Sequence, residues 1–239
     1  MTKRPRNNFL QSLTNGDFEL LRPHLRDVEL EHSQVLFDVG GKIPGLYFPQ
    51  TGVISLVVVL SDGDLIEAGM IGRDGVVGTA AALDDAVALN RAIVQIEGTA
   101  SVVDMPHAQA AVAASRALRK KLYQHDQVLL AQAQQSAACN AAHDVEERLC
   151  RWLLRTRDLV GADSLPLTQE YIAQMLGVRR TSVTLAARNL QAAKLIKYRR
   201  GLIKVVDVEG LQQAACECHE AFKTQAARMI PRLESASGS

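Results

Sequence analysis

Histidine is absent between Gly40 and Met105, although the chain has six in all. That stretch is the one richest in strand signals. A metal enzyme of cupin type built there would need clustered histidine and carboxylate ligands, and no His-x-His pair exists. No nucleophile lies beside a base in any motif, so no catalytic residue is assigned and an enzyme is not expected. Cysteine is also scarce: four in 239 residues, at Cys139, Cys150, Cys216 and Cys218. So few thiols suit a reducing compartment. No apolar run is long enough to span a bilayer. The basic start, MTKRPRNN, is not followed by an apolar signal region. The expectation is a cytoplasmic protein with no membrane partner.

The cysteines invite a metal reading at CECH (Cys216 to His219), and periodicity argues against it. Leu211, Ala215, Cys218, Phe222 and Met229 recur at helical spacing, which predicts one helix from Asp207 to Met229. Residues two apart on a helix point about 200° apart, so Cys216 and Cys218 would not share a metal, and no metal ligands are assigned. Cys139 and Cys150 lie too far apart along a continuous helix for a disulfide.

Charge is nearly balanced overall, at +1, but unevenly spread. From Leu165 to Val205, eight Lys/Arg face a single acid, Glu170, so the remainder of the chain is net acidic. Such asymmetry points to a segment that binds a polyanion.

What is present divides into three parts. Up to about Asp104 the texture is β: GVISLVVVL and LIEAGMI flank Asp62-Gly63, a strong hairpin signal. RAIVQIEGTASVVDM repeats the pattern, with Glu97-Gly98 at the predicted turn. Short strands with regular glycine punctuation predict a small β-barrel or jelly roll. Ser115 to Ala142 contains no Gly or Pro and is rich in helix formers. Its stripe (Leu118, Leu122, Leu129, Ala133, then Ser136, Ala137 and Asn140) needs a cover. A two-fold partner helix would serve, as would the helix's own barrel. DVEERLCRWLLRTRDLV is a further amphipathic helix. LTQEYIAQMLGVRRTSVTLAARNLQAAKLI follows as two short amphipathic stretches about Gly177, and KYRRGLIKVV is a hairpin with Gly201 at its turn. The fold class is therefore α+β, with three domains expected: a β-roll over 1–114, a long dimerisation helix over 115–143, and a winged helix-turn-helix over 144–239.

On the second helix of that motif, Val183, Ala186, Ala187 and Leu190 share one face, and Thr181, Leu185, Arg188 and Ala192 the other. The N-terminal residues of such a helix meet base edges in the major groove. Arg180 is the candidate for two hydrogen bonds to guanine O6 and N7. Thr181 and Thr184 join it as base readers, and Leu185 suits a thymine methyl. Arg179, Ser182, Arg188, Lys197, Arg199 and Arg200 are the phosphate candidates, which give affinity without sequence choice.

In this order of parts the chain resembles the Crp/Fnr family of bacterial transcription regulators. The resemblance rests on LTQEYIAQMLGVRRTSVTLAARNLQAAKLIKYRRGLIKVVD, and on YFPQTGVISLVVVLSDG and IGRDGVVG in the β part. It implies that the roll over 1–114 is a cyclic-nucleotide-binding-like sensor domain, and it implies a homodimer on near-palindromic double-stranded DNA and contact with RNA polymerase. Family members that read bases through this helix usually carry Arg-Glu near its start and a further Arg later. Arg180 keeps the first place, Thr181 replaces the Glu and Leu185 the second Arg, so a different operator is expected. Arg179 stands where a Ser often caps the helix. That loss costs about 0.5–2 kcal/mol unless a DNA phosphate meets the first amides.

Cyclic-nucleotide binders of the family carry Gly-Glu for the ribose and Arg-Ser-Ala or Arg-Thr-Ala for the phosphate. The corresponding effector-pocket candidates are Gly72, Arg73 and Asp74, and Asn90, Arg91 and Ala92. Arg73 sits where the Glu is expected. Arg91 would serve an anion only after a one-residue slip, which flips a strand's face. These departures argue against cyclic AMP and leave the effector unknown, with no cofactor assigned. An iron–sulfur cluster would need grouped cysteines, and the first is Cys139; His24, His32, His107 and His125 form no haem pattern. Cys150, beside Trp152, reads as a buried thiol rather than a redox switch. The alternative function is a ligand-binding regulatory module with no direct DNA readout.

Overall fold

The computed structural model describes residues 4–229, so the outer limits expected for the first and third domains, residues 1 and 239, lie outside the described residues. Helices α1 (Asn8–Ser12) and α2 (Asn15–Leu21) and a 3-10 turn at Arg22–His24 come first. Then follow β1 (Arg26–Leu30), β2 (Val35–Phe37), β3 (Gly45–Pro49), β4 (Val53–Val59), β5 (Leu65–Ile71), α3 (Thr79–Asp84), β6 (Arg91–Ile96) and β7 (Gly98–Asp104). The helices α4 (Met105–Ala114), α5 (Arg116–Ala142) and α6 (Val145–Val160) lead to β8 (Ser164–Leu165), α7 (Gln169–Leu176) and α8 (Arg180–Ala192). The chain continues through β9 (Ile196–Arg199), β10 (Leu202–Val205), α9 (Val208–Ala214) and α10 (Cys218–Met229).

Two antiparallel sheets make the roll, in the orders β1-β7-β3 and β2-β6-β4-β5. Asp62-Gly63 turns β4 into β5 as the sequence predicts, with Gly63 at φ 91°. Glu97-Gly98 does not make a hairpin. β6 pairs with β4 and β2, while β7 pairs with β1 and β3, so the chain crosses there from one sheet to the other. Two strand runs on either side of a glycine read alike whether they pair or part.

β4 is apolar on both faces because both are covered. Ile54 faces the roll interior with Leu46, Phe48, Val94 and Val102. Val53 and Val57 face outward with Met70, Ile93 and Ile96, and there they join Leu149, Trp152, Leu153 and Leu159 of α6 in one apolar core. The mainly β-branched run thus marks a strand covered on both sides through Val57, beyond which Val58 is exposed.

α5 is 27 residues, roughly 40 Å of helix. Ser115 caps its start by accepting from the Leu118 amide. Leu118 and Leu122 are buried in the roll core, and Leu129 packs at its edge. The first half of the predicted stripe is therefore covered by the chain's own roll, and a partner helix is not needed there. Tyr123, Leu130 and Ala137 lie on exposed positions of the same helix. His143 ends α5, and Asp144 at once caps α6, accepting from the Glu146 and Glu147 amides at 2.9 and 3.0 Å.

The helix predicted over Asp207 to Met229 is broken. α9 ends at Ala214, Ala215 is extended (φ −83°, ψ 150°), and α10 starts at Cys218. Cys216 thus lies outside any helix, and the helical argument that kept it apart from Cys218 does not apply. Among the described residues no helix is long and apolar enough to cross a membrane.

Candidate nucleic-acid interface and sensor cavity

α7 and α8 form the helix pair about Gly177, which takes φ 61° as the left-handed stop of α7. Thr168 caps α7, its hydroxyl accepting from the Tyr171 amide at 3.1 Å. α8 divides as its spacing predicts: Val183, Ala186, Ala187 and Leu190 are buried, and Thr181, Leu185, Arg188 and Ala192 are exposed. Leu185 is 62% exposed. Arg179 occupies the N-cap position with no side-chain cap, so the first amides of α8 are open to an acceptor from outside.

Of the eight basic side chains between Leu165 and Val205, Arg180 alone pairs with a carboxylate among the described residues: Glu170, at 3.3 Å. Both partners are exposed, so the pair holds Arg180 only weakly. Thr181 is exposed, whereas Ser182 and Thr184 are half-buried. The Thr184 hydroxyl lies 2.8 Å from Gln169 Oε1 and 3.0 Å from the Arg180 carbonyl, so it is engaged within the helix pair. Gln169 and Glu170, the first two residues of α7, thus hold two of the proposed base readers; the sequence marks Glu170 as the single acid of the basic stretch but gives no signal of either contact.

β9 and β10 form the wing, with β8 as a third strand in the order β8-β10-β9. Arg200 and Gly201 both take positive φ, 48° and 78°, as a two-residue hairpin of this twist requires. Asn or Gly is the usual choice at the first position. An arginine there costs about 1 kcal/mol of backbone energy, which places a guanidinium at the wing tip against local preference. Arg188, Lys197, Arg199 and Arg200 are exposed.

The effector-pocket candidates do not come together. A cavity of about 390 Å³ lies between the roll and α5, lined among others by Phe37, Leu56, Asn90, Asp126, Leu129 and Leu130. Of the six candidates only Asn90 lines it. Arg91 faces away and forms a two-bond ion pair with Asp38, at 2.7 and 3.0 Å. Ala92 is buried inside the roll. Gly72, Arg73 and Asp74 meet the C-terminal half instead. A Cβ on Gly72 would touch the Leu159 side chain at 3.0 Å, and the Arg73 guanidinium lies beside Gly161. Asp74 pairs with Arg155 at 2.7 Å, and that guanidinium lies under the Phe222 ring at 5.3 Å. The motif residues therefore belong to the seam between the halves. Among the described residues no guanidinium lines the cavity; its polar groups include the Asp126 carboxyl, which burial pushes up and the Thr79 hydroxyl partly restores.

That seam carries a buried polar cluster which sequence reading missed. Trp152 of α6 donates its Nε1–H to Glu67 Oε1 at 3.0 Å, and the Ser55 hydroxyl lies 2.7 Å from Glu67 Oε2 and 2.6 Å from Gln95 Oε1. Burial raises Glu67 above the usual carboxylate range, against the Ser55 and Trp152 hydrogen bonds and the Arg151 and Arg155 charges. Cys150, fully buried nearby, is pushed up to about 12 by burial and neighbouring carboxylates, so its thiol is inert at neutral pH.

A family profile described as the Crp-like helix-turn-helix domain matches residues 147–214, which span α6 to α9. Over those residues the chain is similar to a Crp-like helix-turn-helix domain. Most of the chain shares its fold with solved Crp/Fnr proteins. A putative transcriptional regulator of the Crp/Fnr family from Eubacterium rectale superposes with TM-score 0.68 at 16% identity, over 88% of this chain and 96% of that one. FixK2 from Bradyrhizobium japonicum gives 0.68 at 17% identity, over 80% and 98%. A CRP/FNR-family transcriptional regulator from Thermus thermophilus gives 0.66 at 22%, over 80% and 98%. No curated protein matches the chain by sequence. The Crp-like domain contains all ten DNA candidates, from Arg179 to Arg200.

Proposed function

We propose that the protein is a cytoplasmic, sequence-specific transcription regulator of Crp/Fnr type that binds double-stranded DNA as a homodimer and contacts RNA polymerase. The observation that carries this reading is the exposed face of α8 and the wing. Uncapped helix amides, the arginines at 179, 180 and 188, and the wing-tip Arg200 stand on it with one weak carboxylate partner among them. In this reading Arg180 reads guanine, Thr181, Thr184 and Leu185 complete base contact, and Arg179, Ser182, Arg188, Lys197, Arg199 and Arg200 hold phosphates. The exposed Tyr123, Leu130 and Ala137 line of α5 is the dimer seam. The roll is a sensor whose cyclic-nucleotide motif is degenerate. A cyclic phosphate would meet the Asp126 carboxyl and no guanidinium in the cavity, which suits an uncharged or cationic molecule better.

The test is competition binding against a duplex selected from random DNA and a scrambled one, with and without cyclic AMP. Arg180→Ala should lose about 5- to 150-fold on the selected duplex, the equivalent of about 1–3 kcal/mol, and little on the scrambled one. Arg199→Ala should weaken both alike and lower the salt slope by about one. Equal loss on both duplexes for Arg180→Ala removes its base-reading role. No selective binding by the wild type favours a ligand-binding module.

A further inference from the structure

Three of the four cysteines in the chain converge on one place, with a histidine between them. The sulfurs of Cys139, Cys216 and Cys218 and a ring nitrogen of His143 all lie within 4.8 Å of one another. Cys139 sits in the last turn of α5, and His143 is the single residue joining α5 to the cap of α6. Cys216 and Cys218 arrive from the break between α9 and α10. The three cysteines are buried and form an apolar cluster of their own, apart from both main cores.

Buried thiols often act as small apolar side chains, but more than burial is present here. Cys139 Sγ and Cys216 Sγ are 3.5 Å apart, and Cys218 Sγ is 3.6 Å from His143 Nδ1. Tetrahedral coordination at a Zn–S length of about 2.3 Å and a Zn–N length of about 2.05 Å requires about 3.8 Å between sulfurs and about 3.6 Å from sulfur to nitrogen. A disulfide would need about 2.05 Å. The far nitrogen, His143 Nε2, lies 3.1 Å from Glu217 Oε2. A carboxylate on the second ring nitrogen is the arrangement that fixes tautomer and orientation in metal-bound histidines. Cationic groups stand by as well. The Arg151 charge acts on Cys139, and the Cys139 and Cys216 sulfurs act on Arg148. Arg148 is 7% exposed, and the Nε atoms of Arg148 and Arg151 are buried without a partner among the described residues.

We propose that Cys139, His143 (through Nδ1), Cys216 and Cys218 bind one Zn2+ per chain, with Glu217 orienting the histidine. Binding moves three thiol protons to solvent and forms three Zn–S bonds and one Zn–N bond. Three thiolates with one dication leave a single net negative charge, which Arg148 and Arg151 offset. All four positions are taken by protein, so the site clamps structure and does no catalysis. What it clamps is the joint: the end of the long helix, the residue leading into the Crp-like domain, and the loop beyond the wing become one rigid unit.

The full-length protein, purified with reductant, is tested by metal analysis, then stripped with chelator and titrated with Co2+. One zinc per chain is expected, and Co2+ should give thiolate charge-transfer bands and the intense visible bands of a tetrahedral site, displaced by one equivalent of Zn2+. Cys216→Ser and Cys218→Ser should abolish that spectrum. Because either can hinder folding, Glu217→Ala supplies a second reading: its side chain is 78% exposed, so the fold should be untouched. Zinc affinity should fall at least ~10-fold. Absence of zinc together with a featureless Co2+ titration overturns the proposal, as does a Cys139–Cys216 disulfide in the reduced preparation. Unchanged affinity in Glu217→Ala overturns the role given to that carboxylate.

Discussion

Replacing Glu67 by Gln should stabilise the protein at pH 8, although it removes a charged hydrogen-bond acceptor at the seam between roll and Crp-like domain. Glu67 accepts from Trp152 Nε1–H at 3.0 Å and meets Ser55 at 2.7 Å, yet burial outweighs both and raises its pKa. The Ser55 hydroxyl has one proton and two acceptors in reach, Glu67 Oε2 and Gln95 Oε1, while Gln95 Nε2 has no partner. An amide at position 67 would resolve this: its oxygen accepts from Trp152, its nitrogen donates to Ser55, and Ser55 donates to Gln95. One added net hydrogen bond is worth about 0.5–1.5 kcal/mol, and removing a buried charge adds in the same direction. A gain of about 1 kcal/mol raises Tm by about 2–4 °C in a chain of this size. The pH dependence fixes the sign independently. A carboxyl whose folded pKa is raised above 4.5 contributes stability that is fully present below 4.5 and is lost as pH rises through the folded value. The advantage of Glu67→Gln should therefore be greatest at pH 8 and shrink as pH approaches 4.5. Urea titrations followed by the fluorescence of Trp152, the sole tryptophan, measure this directly. A variant less stable than wild type at pH 8, or a difference that does not change with pH, would refute the assignment of a desolvated carboxylate at the seam.

Other outcomes follow from the same geometry. Glu170→Ala frees Arg180 from its exposed partner and should tighten DNA binding by up to about 5-fold, the value of about 1 kcal/mol for such a pair; weaker binding in fluorescence anisotropy would show that Glu170 itself serves the interface. Arg200→Asn keeps a residue suited to φ 48° at the wing tip, so thermal stability should hold or rise by up to about 1 kcal/mol while affinity falls on every duplex. Loss of stability in that variant would contradict the backbone reading. His125 is buried on α5 with Nε2 2.9 Å from the Val76 carbonyl and 3.2 Å from the Val76 amide, and burial lowers its pKa below 6.5. Its contribution is present above 6.5 and lost as pH falls below that value; replacing His125 by Gln should flatten that part of the stability–pH profile in urea titrations, and an unchanged profile would place the proton elsewhere.

The winged helix-turn-helix was legible because its signals are local. Gly177 and Gly201 sit at positive φ where the chain turns, and the apolar spacing of α8 sorts buried from exposed without reference to any other element. β4 was legible as a strand for a similar reason, since a run that is β-branched except at Ser55 and Leu56 favours an extended backbone. The crossing at Glu97-Gly98 was not, because which strand pairs with which is decided by distant partners. The sensor motif misled for a different reason: matching residues to a phosphate-binding pattern assumes that the strand presents them inward, whereas Arg91 turns out to Asp38 and Asp74 turns to Arg155. The cysteine cluster was hidden by helical periodicity that runs through Ala215, where the backbone instead extends for a few residues. Cys139 and Cys216 stand 77 residues apart, and no spacing rule connects them.

The apolar core common to the roll and the Crp-like domain bears on how this chain can be taken apart. Cutting at the joint before Asp144 would strip the cover from Val53, Val57 and Ile93 on one piece and from Leu149, Leu153 and Leu159 on the other. Either fragment would present a sheet-sized greasy surface to water and tend to aggregate. The roll and the Crp-like domain are consequently not interchangeable cassettes. A chimera that grafts this Crp-like domain onto another N-terminal unit would have to import the outer face of the β2-β6-β4-β5 sheet along with it.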